Sequence, residues 1–345
     1  MASVDLVVRG AGIFGLSIAW RAVQRGARVA VVDPHGAASG SSGGIVGALA
    51  PHVPENWNAK KAFQLESLLM AEGFWTEVAE AGGGAPGYAR NGRLQPIADD
   101  HALALARQRE GTARTLWQDH AVWEVVEATD AEWEPQSPGG YLIRDTLSAL
   151  VHPRRGCEAL VRALAQEGLS IAAESDAEGP TVWATGVAGL EDLSAGHRRS
   201  MGAGVKGQAA LLQYDARGMP QLFAGGIHII PHGDGTVAVG STSEREYTSA
   251  TETDARLNAV IEAARAAVPA LRDAPVIDRW AEVRPRARSR APMLGAWPER
   301  PGHFIANGGF KIGFGMAPKV AEVMVDLVLE GIDRVPEGFR VEDNL

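Results

Sequence analysis

Apolar residues near the start of the chain fall in two short runs, at 4–8 and 27–32, and each has the length of a buried strand. Between them, residues 15–24 are small and apolar at helical spacing and stop at Gly26, which predicts a helix. Strand, helix and strand make a βαβ unit. Residues 36–47 are almost all Gly, Ser and Ala, with too little side chain to build a core. Helical spacing returns over 60–79, where Phe63, Leu65, Leu68, Leu69 and Phe74 are the apolar members. The glycine-rich break at 82–87 is the expected place for a domain crossing. Short strands then alternate with one helix at 100–118, and helix returns over 147–165. Residues 181–186 read as a buried strand stopped by glycine, and strands dominate 205–283 around a helix at 253–267. A strand at 304–306 leads through a glycine-rich loop to a last helix over 317–329, closed by Gly331.

The first turn carries chemistry. Gly10-Ala11-Gly12-Ile13-Phe14-Gly15 is a G-x-G-x-x-G between a strand and a helix. Gly10 permits the tight turn, Gly12 lets a pyrophosphate approach the backbone, and Gly15 allows close helix–strand packing. The helix start offers N–H groups and a positive dipole end to phosphates. Asp33, at the end of the second strand, is placed to accept from ribose hydroxyls. Together these predict a dinucleotide site. The fingerprint alone does not choose between nicotinamide and flavin dinucleotides. In place of a third βα unit, residues 38–45 supply glycines and hydroxyls, including Ser39, Ser42, Gly43, Gly44 and Ile45. Such a segment suits a chain running beside pyrophosphate and an isoalloxazine ring.

Composition removes whole classes. The 345 residues allow two domains, and 46% hydrophobic with 22% charged residues excludes a disordered chain. Thirty-three Lys and Arg against 42 Asp and Glu leave a net charge of −9, so nucleic acid is not an expected partner. Cys157, the single cysteine, excludes an intramolecular disulfide or a multi-cysteine metal site and reads as a buried, inert thiol. His228 and His232 share one face of a strand, but no third ligand is in view, so no metal is expected. No run approaches the ~18 apolar residues of a membrane span, and residues 6–8 are too short for a signal-peptide core, so a cytoplasmic setting is expected.

Further motifs follow in order: Gly92-Arg93-Leu94, Val151-His152-Pro153, and Val182-Trp183-Ala184-Thr185-Gly186. Next come Val205-Lys206-Gly207-Gln208, Ile230-Pro231, and Val239-Gly240-Ser241-Thr242. Val283-Arg284-Pro285, Pro292-Met293-Leu294-Gly295 and the run from Gly308 to Pro318 complete the set. In this order they resemble the FAD-dependent D-amino-acid oxidase and glycine oxidase superfamily over nearly the whole chain. The resemblance implies an α/β fold: a discontinuous Rossmann-like FAD-binding domain (1–85, 147–205 and 281–345) with an inserted antiparallel-sheet substrate domain (86–146 and 206–280). It implies non-covalent FAD held by Gly10, Gly12, Ile13, Phe14, Gly15, Asp33, Ser39, Ser42, Gly43, Gly44, Ile45, Thr185, Gly186, Gly309, Lys311, Ile312, Gly313 and Phe314. Arg284 occupies the position of the family's carboxylate-binding arginine, whose fork can hold a carboxylate bidentately. Lys311 stands where glycine oxidases carry an arginine, and His228 where they often carry a substrate-facing tyrosine; both are counted with Arg284 as candidate catalytic residues.

The implied reaction is oxidation of a carboxylate-bearing amine (a D-amino acid, glycine or an N-substituted glycine) to an imine, by hydride transfer to flavin N5. Oxygen or another acceptor takes the electrons. Two alternatives stay open: oxidation of a carboxymethylaminomethyl group on modified tRNA, and FAD binding without turnover. Departures from the family pattern are Ser243, the missing acid after Arg284, the short segment between residues 171 and 181, and the Arg286, Arg288, Arg290 alternation. The last reads as a solvated face, with one of the three available to join Arg284 and Lys311 around a second acidic group of the substrate. Trp280 reads as a packing residue, and Glu282 as an orienter for an arginine.

Overall fold

The computed structural model of the chain describes residues 3–82, 84–129 and 131–345; Gly83, in the middle of the expected break, lies outside the described residues. Leu6–Arg9 is the centre of a six-stranded sheet. It pairs in parallel with Val29–Val32 on one side and Thr181–Trp183 on the other. Ile171–Ala172 extends one edge; His303–Asn307 and then the antiparallel Met293–Ala296 extend the other. Leu6 and Val8 have no exposed surface, as a parallel strand covered on both faces requires. The helices Ile13–Gln24, Ala59–Gly82, Pro153–Gln166 and Gly313–Val325 pack on one another and share one core with this sheet, including Phe74, Trp75, Leu160 and Met324.

The second sheet has eight strands, in the order Val276–Ala287, Gly202–Gln213, Thr236–Gly240, Ile227–Pro231, Gln221–Ala224, Arg93–Pro96, Tyr141–Asp145 and Trp123–Glu127. All its pairings are antiparallel except that of Gln221–Ala224 with Arg93–Pro96. The helix Arg256–Ala267 covers part of it, burying Leu257 and Ile261 against Leu212, Ile229 and Val239. Val276–Ala287 is the outer strand. Two of its N–H groups, those of Arg279 and Val283, are taken at 2.8 Å by the carboxylates of the residues before them, Asp278 and Glu282. This strand and Gly202–Gln213 run unbroken across the boundaries expected near residues 205 and 280.

Three element expectations are corrected. The helix expected over 147–165 starts at Pro153, because Ala149–Leu150 pairs with Ala48–Leu49 and proline suits the first helical position, where its missing N–H costs nothing. The last helix starts earlier, at Gly313, inside the glycine-rich loop; it passes into a π turn at Asp326–Glu330 and ends on Gly331 at φ 71°. A helix at Gly186–Ala195 was not expected: Gly186 reads as a strand stop but begins this helix. Between Ile171–Ala172 and Thr181–Trp183 no further strand forms among the described residues, in keeping with the short segment. No described helix is long and apolar enough to cross a membrane.

Candidate active site

A cavity of about 1170 Å³ takes lining residues from both sheets. That exceeds the roughly 300–1,000 Å³ of pockets for drug-sized ligands and is a size for a dinucleotide with a second, small molecule. Three helices begin on it: Ile13, Phe14, Gly186, Val187, Gly313 and Phe314 all line it, and none of the three helices has an acidic residue in its first turn. Three positive dipole ends therefore face one space.

At the glycine turn, Gly10 has φ 101°, and a Cβ there would lie 2.3 Å from the Ala184 carbonyl oxygen, so only glycine fits. Asp33 lines the cavity; Oδ2 accepts from the Ala11 N–H at 2.8 Å and Oδ1 from the His35 N–H at 2.9 Å. Each oxygen keeps a lone pair for a further donor. The Ser42 hydroxyl accepts from the Ile13 N–H at 3.0 Å, at the start of the first helix. Anion-accepting helix starts, a carboxylate at the strand end and a glycine turn fit a dinucleotide with its pyrophosphate at Ile13 and its ribose at Asp33.

The larger sheet supplies the rest through its register. Trp280 pairs with Ala209, Ala209 with Gly240, Gly240 with His228, and His228 with Phe223. This row crosses five strands, and Trp280, Ala209, His228 and Phe223 all line the cavity. Along the outer strand, period-two alternation adds Glu282 and Arg284 to Trp280 on the same face. Arg284 is buried and leans back across Gly207, the cross-strand partner of Glu282, where a Cβ would lie 2.2 Å from Nη2. Its Nη1 donates to the Ser241 hydroxyl at 2.8 Å, and Nη2 to the Thr242 carbonyl at 2.6 Å and the Lys206 carbonyl at 3.4 Å. The Nε–H is buried with no partner. The protein itself thus occupies most of the fork expected for a carboxylate, and the Nε–H remains open.

Charges here are perturbed. Burial pushes Arg284 down to about 10, opposed by Glu244. Lys311 keeps more than a third of its surface accessible because it faces the cavity, yet burial and then the Arg284 charge hold it down at about 8. Burial, Arg93 and Lys311 hold His228 down at about 4, so its imidazole is neutral at pH 7; its Nδ1 is buried with no partner. Glu282 is raised by burial.

Of the residues singled out in the sequence, Arg284, Lys311, His228, Gly10, Gly12, Ile13, Phe14, Asp33, Ser39, Ser42, Gly44, Thr185, Gly186, Gly309, Gly313 and Phe314 line the cavity. Gly15, Gly43, Ile45 and Ile312 lie behind the lining. A Cβ at Gly15 would meet the Gly10 carbonyl oxygen at 1.9 Å, and the carbonyls of Gly43 and Ile45 accept from Arg154 and His232. Ser243 is exposed and off the lining, where Ser241 stands instead. Trp280 is a lining residue as well as a packing one, and Glu282 orients no arginine: it makes no ion pair among the described residues. His232 is turned into the core beside His152, and no described group of side chains could hold a metal ion. Cys157 is buried, its thiol pushed up to about 12. Sequence reasoning missed Trp183, Ser241, Tyr247, Asn307 and Phe310, all on the lining.

A family model described as FAD dependent oxidoreductase matches residues 5–327. The chain is 24% identical over 349 residues to the glycine oxidase of Bacillus subtilis (strain 168), covering 94% of this chain and 93% of that protein. It is also 24% identical over 359 residues to the bifunctional protein ThiO/ThiG of Nostoc sp. (strain PCC 7120 / SAG 25.82 / UTEX 2576), covering 94% of this chain but only 53% of that one, so it spans about half of the longer protein. Among solved structures, the crystal structure of glycine oxidase from Geobacillus kaustophilus superposes with a TM-score of 0.84 at 19% identity, covering 99% of both chains.

Proposed function

The chain belongs to the FAD dependent oxidoreductase family, and from that premise we propose that it oxidises an amine with a nearby carboxylate to the corresponding imine. Bound FAD supplies the two-electron acceptor that such an oxidation needs. Gly12, Ile13, Asp33, Thr185, Gly186, Gly313 and Phe314, all on the cavity lining, would hold it. The observation that carries the substrate class is Arg284, a buried cation on the cavity wall whose Nε–H has no partner among the described residues. A substrate carboxylate completes its hydrogen bonding and compensates a charge that burial makes costly. The bonds to Ser241 and Thr242 fix the guanidinium before the substrate arrives, so the carboxylate, once bound, sets the position of the α-carbon. His228, neutral at pH 7, can accept a hydrogen bond from the amine without adding charge. Trp280 and Phe223 end the same row and give the cavity an apolar, aromatic wall on either side of His228.

Anaerobic mixing with glycine, sarcosine, D-amino acids and dicarboxylic secondary amines tests the reading by flavin absorbance. At least one of these should bleach the flavin, and Arg284→Gln should raise KM and lower the reduction rate together. A flavin that none of them reduces would sink the proposal.

A further inference from the structure

Arg284 is not the only cation on its side of the cavity. Lys311 lines the same space, and both surround Phe310, at 5.4 Å and 5.8 Å from the ring centroid. Arg286 approaches the same ring at 5.5 Å but is not on the lining. Phe310 is held there by its N–H, which donates to the Pro285 carbonyl at 3.0 Å. An aromatic face compensates a cation only in part.

The protein supplies little else. The one charge acting strongly on Lys311 is Arg284, which repels it. The carboxylate that acts on Arg284 is Glu244, already bound to Arg256 at 2.7 Å and to the Gln208 side chain at 2.8 Å. Four acids line the cavity: Asp33, Glu174, Asp176 and Glu282. The first three belong to the nucleotide end, where the Asp33 N–H donates to the Ala172 carbonyl and residues 174–176 follow directly. Glu282 turns to the Val283 N–H and pairs with neither cation. Two like charges on one wall of the cavity, with no acid between them among the described residues, are costly for the protein alone and favourable for a ligand with two negative charges.

We propose that the substrate carries two carboxylates, the second bound by Lys311, so that amino dicarboxylates or N-carboxymethyl amines are the preferred class. This rests on the reading above, in which Arg284 holds the first carboxylate. The other arginines of the alternating run do not serve: Arg286, Arg288 and Arg290 are all off the cavity lining, and Arg288 donates to the Leu345 carbonyl.

The holoenzyme is compared with Lys311→Met and Lys311→Arg in two measurements. In the first, flavin reduction is followed with glycine, sarcosine and D-alanine, and with iminodiacetate, D-aspartate and D-glutamate. In the second, acetate and malonate are titrated and their dissociation constants read from the flavin spectrum. A charge-assisted contact to the second carboxylate predicts a dicarboxylate-to-monocarboxylate preference of about tenfold or more in both. Lys311→Met should remove most of that preference and Lys311→Arg should keep it. Reduction by the monocarboxylates with no dicarboxylate preference, or equal losses for both classes in Lys311→Met, overturns this inference and leaves the proposed function standing. If none of the six amines reduces the flavin, both fall. Should Lys311→Met lose its FAD, the preferences of the unsubstituted enzyme decide alone.

Discussion

Replacing Gly207 by alanine isolates the pose of Arg284 without touching its charge. The new methyl would lie 2.2 Å from Nη2 and 2.3 Å from Cζ of Arg284, where ordinary contacts begin at 3.4 Å. The guanidinium must therefore retreat by roughly 1 Å or more, losing the 2.6 Å bond to Thr242 and straining the 2.8 Å bond to Ser241. The strand itself has no reason to break. Gly207 is not in the left-handed region, and the three nearest atoms all belong to the tip of one side chain. A misplacement of about 1 Å in a substrate-positioning group costs on the order of 100-fold in rate, or about 2.7 kcal/mol. Gly207→Ala should thus keep its FAD and its fold, with a melting temperature lowered by no more than a few degrees, while kcat/KM for the best amine falls about 100-fold. A double-mutant cycle with Arg284→Ala supplies the control: once Arg284 is gone, adding Gly207→Ala should cost almost nothing more. Near-normal kcat/KM in the single variant, or an undiminished loss in the Arg284→Ala background, would refute the assignment of Arg284 to the substrate.

Gly12→Val places a side chain where the pyrophosphate must lie, beside the Ser42 hydroxyl 3.1 Å from the new Cβ, so the purified variant should be colourless; stoichiometric FAD by absorbance would contradict the placement. Acid precipitation of the native protein should release all its flavin into the supernatant, because the only thiol, Cys157, is buried with its pKa pushed up to about 12; colour retained in the pellet would show a covalent link. His152 is buried against His232, their ring centroids 4.4 Å apart, and burial holds its pKa near 4, below its ordinary 6.5. Between those values the unfolded chain binds more protons, so stability is complete above pH 6.5 and declines as pH falls toward 4. By linkage about 2 kcal/mol should be lost between pH 7.5 and pH 5 in urea unfolding, and His152→Phe should flatten that slope; an unchanged slope would exclude His152 as its source.

How far the site was legible depended on the range of the interaction that builds it. The cofactor end is local in sequence: Gly10, Gly12, Gly15 and Asp33 fall within one βαβ unit, so their spacing shows them directly, even though the contacts that demand glycine at 10 and crowd 12 come from Ala184 and Ser42 outside it. Arg284, Lys311 and His228 emerged only from the order of distant motifs. Ser241 and Phe310 stood inside the family motifs without a role assigned to them, and Tyr247 outside any motif, because which side chain of a loop faces the cavity depends on distant parts of the chain. The row from Trp280 to Phe223 follows from four separate strand pairings, none of which any single strand's pattern reveals. Trp280 and Glu282 were named, as a packing residue and an orienter, but counting back by twos from Arg284 puts both on its face and hence on the cavity lining. The helix Gly186–Ala195 escaped because only Leu190, Leu193 and Gly189 on it are buried, too few to mark a helical period.

The outer strand Val276–Ala287 bears on how the molecule behaves in a crowd of its own copies. A twelve-residue sheet edge is a template for β-addition: a strand from another chain needs only its unpaired N–H and C=O groups. Here the donors at Arg279 and Val283 are already taken by Asp278 and Glu282, and Pro285 has none to give. The acceptors at Pro285 and Ala287 are taken by the N–H groups of Phe310 and Arg290. Of Arg279, Ala281, Val283 and Pro285, Ala281 alone keeps an N–H to offer, so an incoming strand finds acceptors in this stretch but few donors. The strand that carries Arg284 can therefore run twelve residues along the cavity while its open edge is a poorer template for β-addition than its length implies.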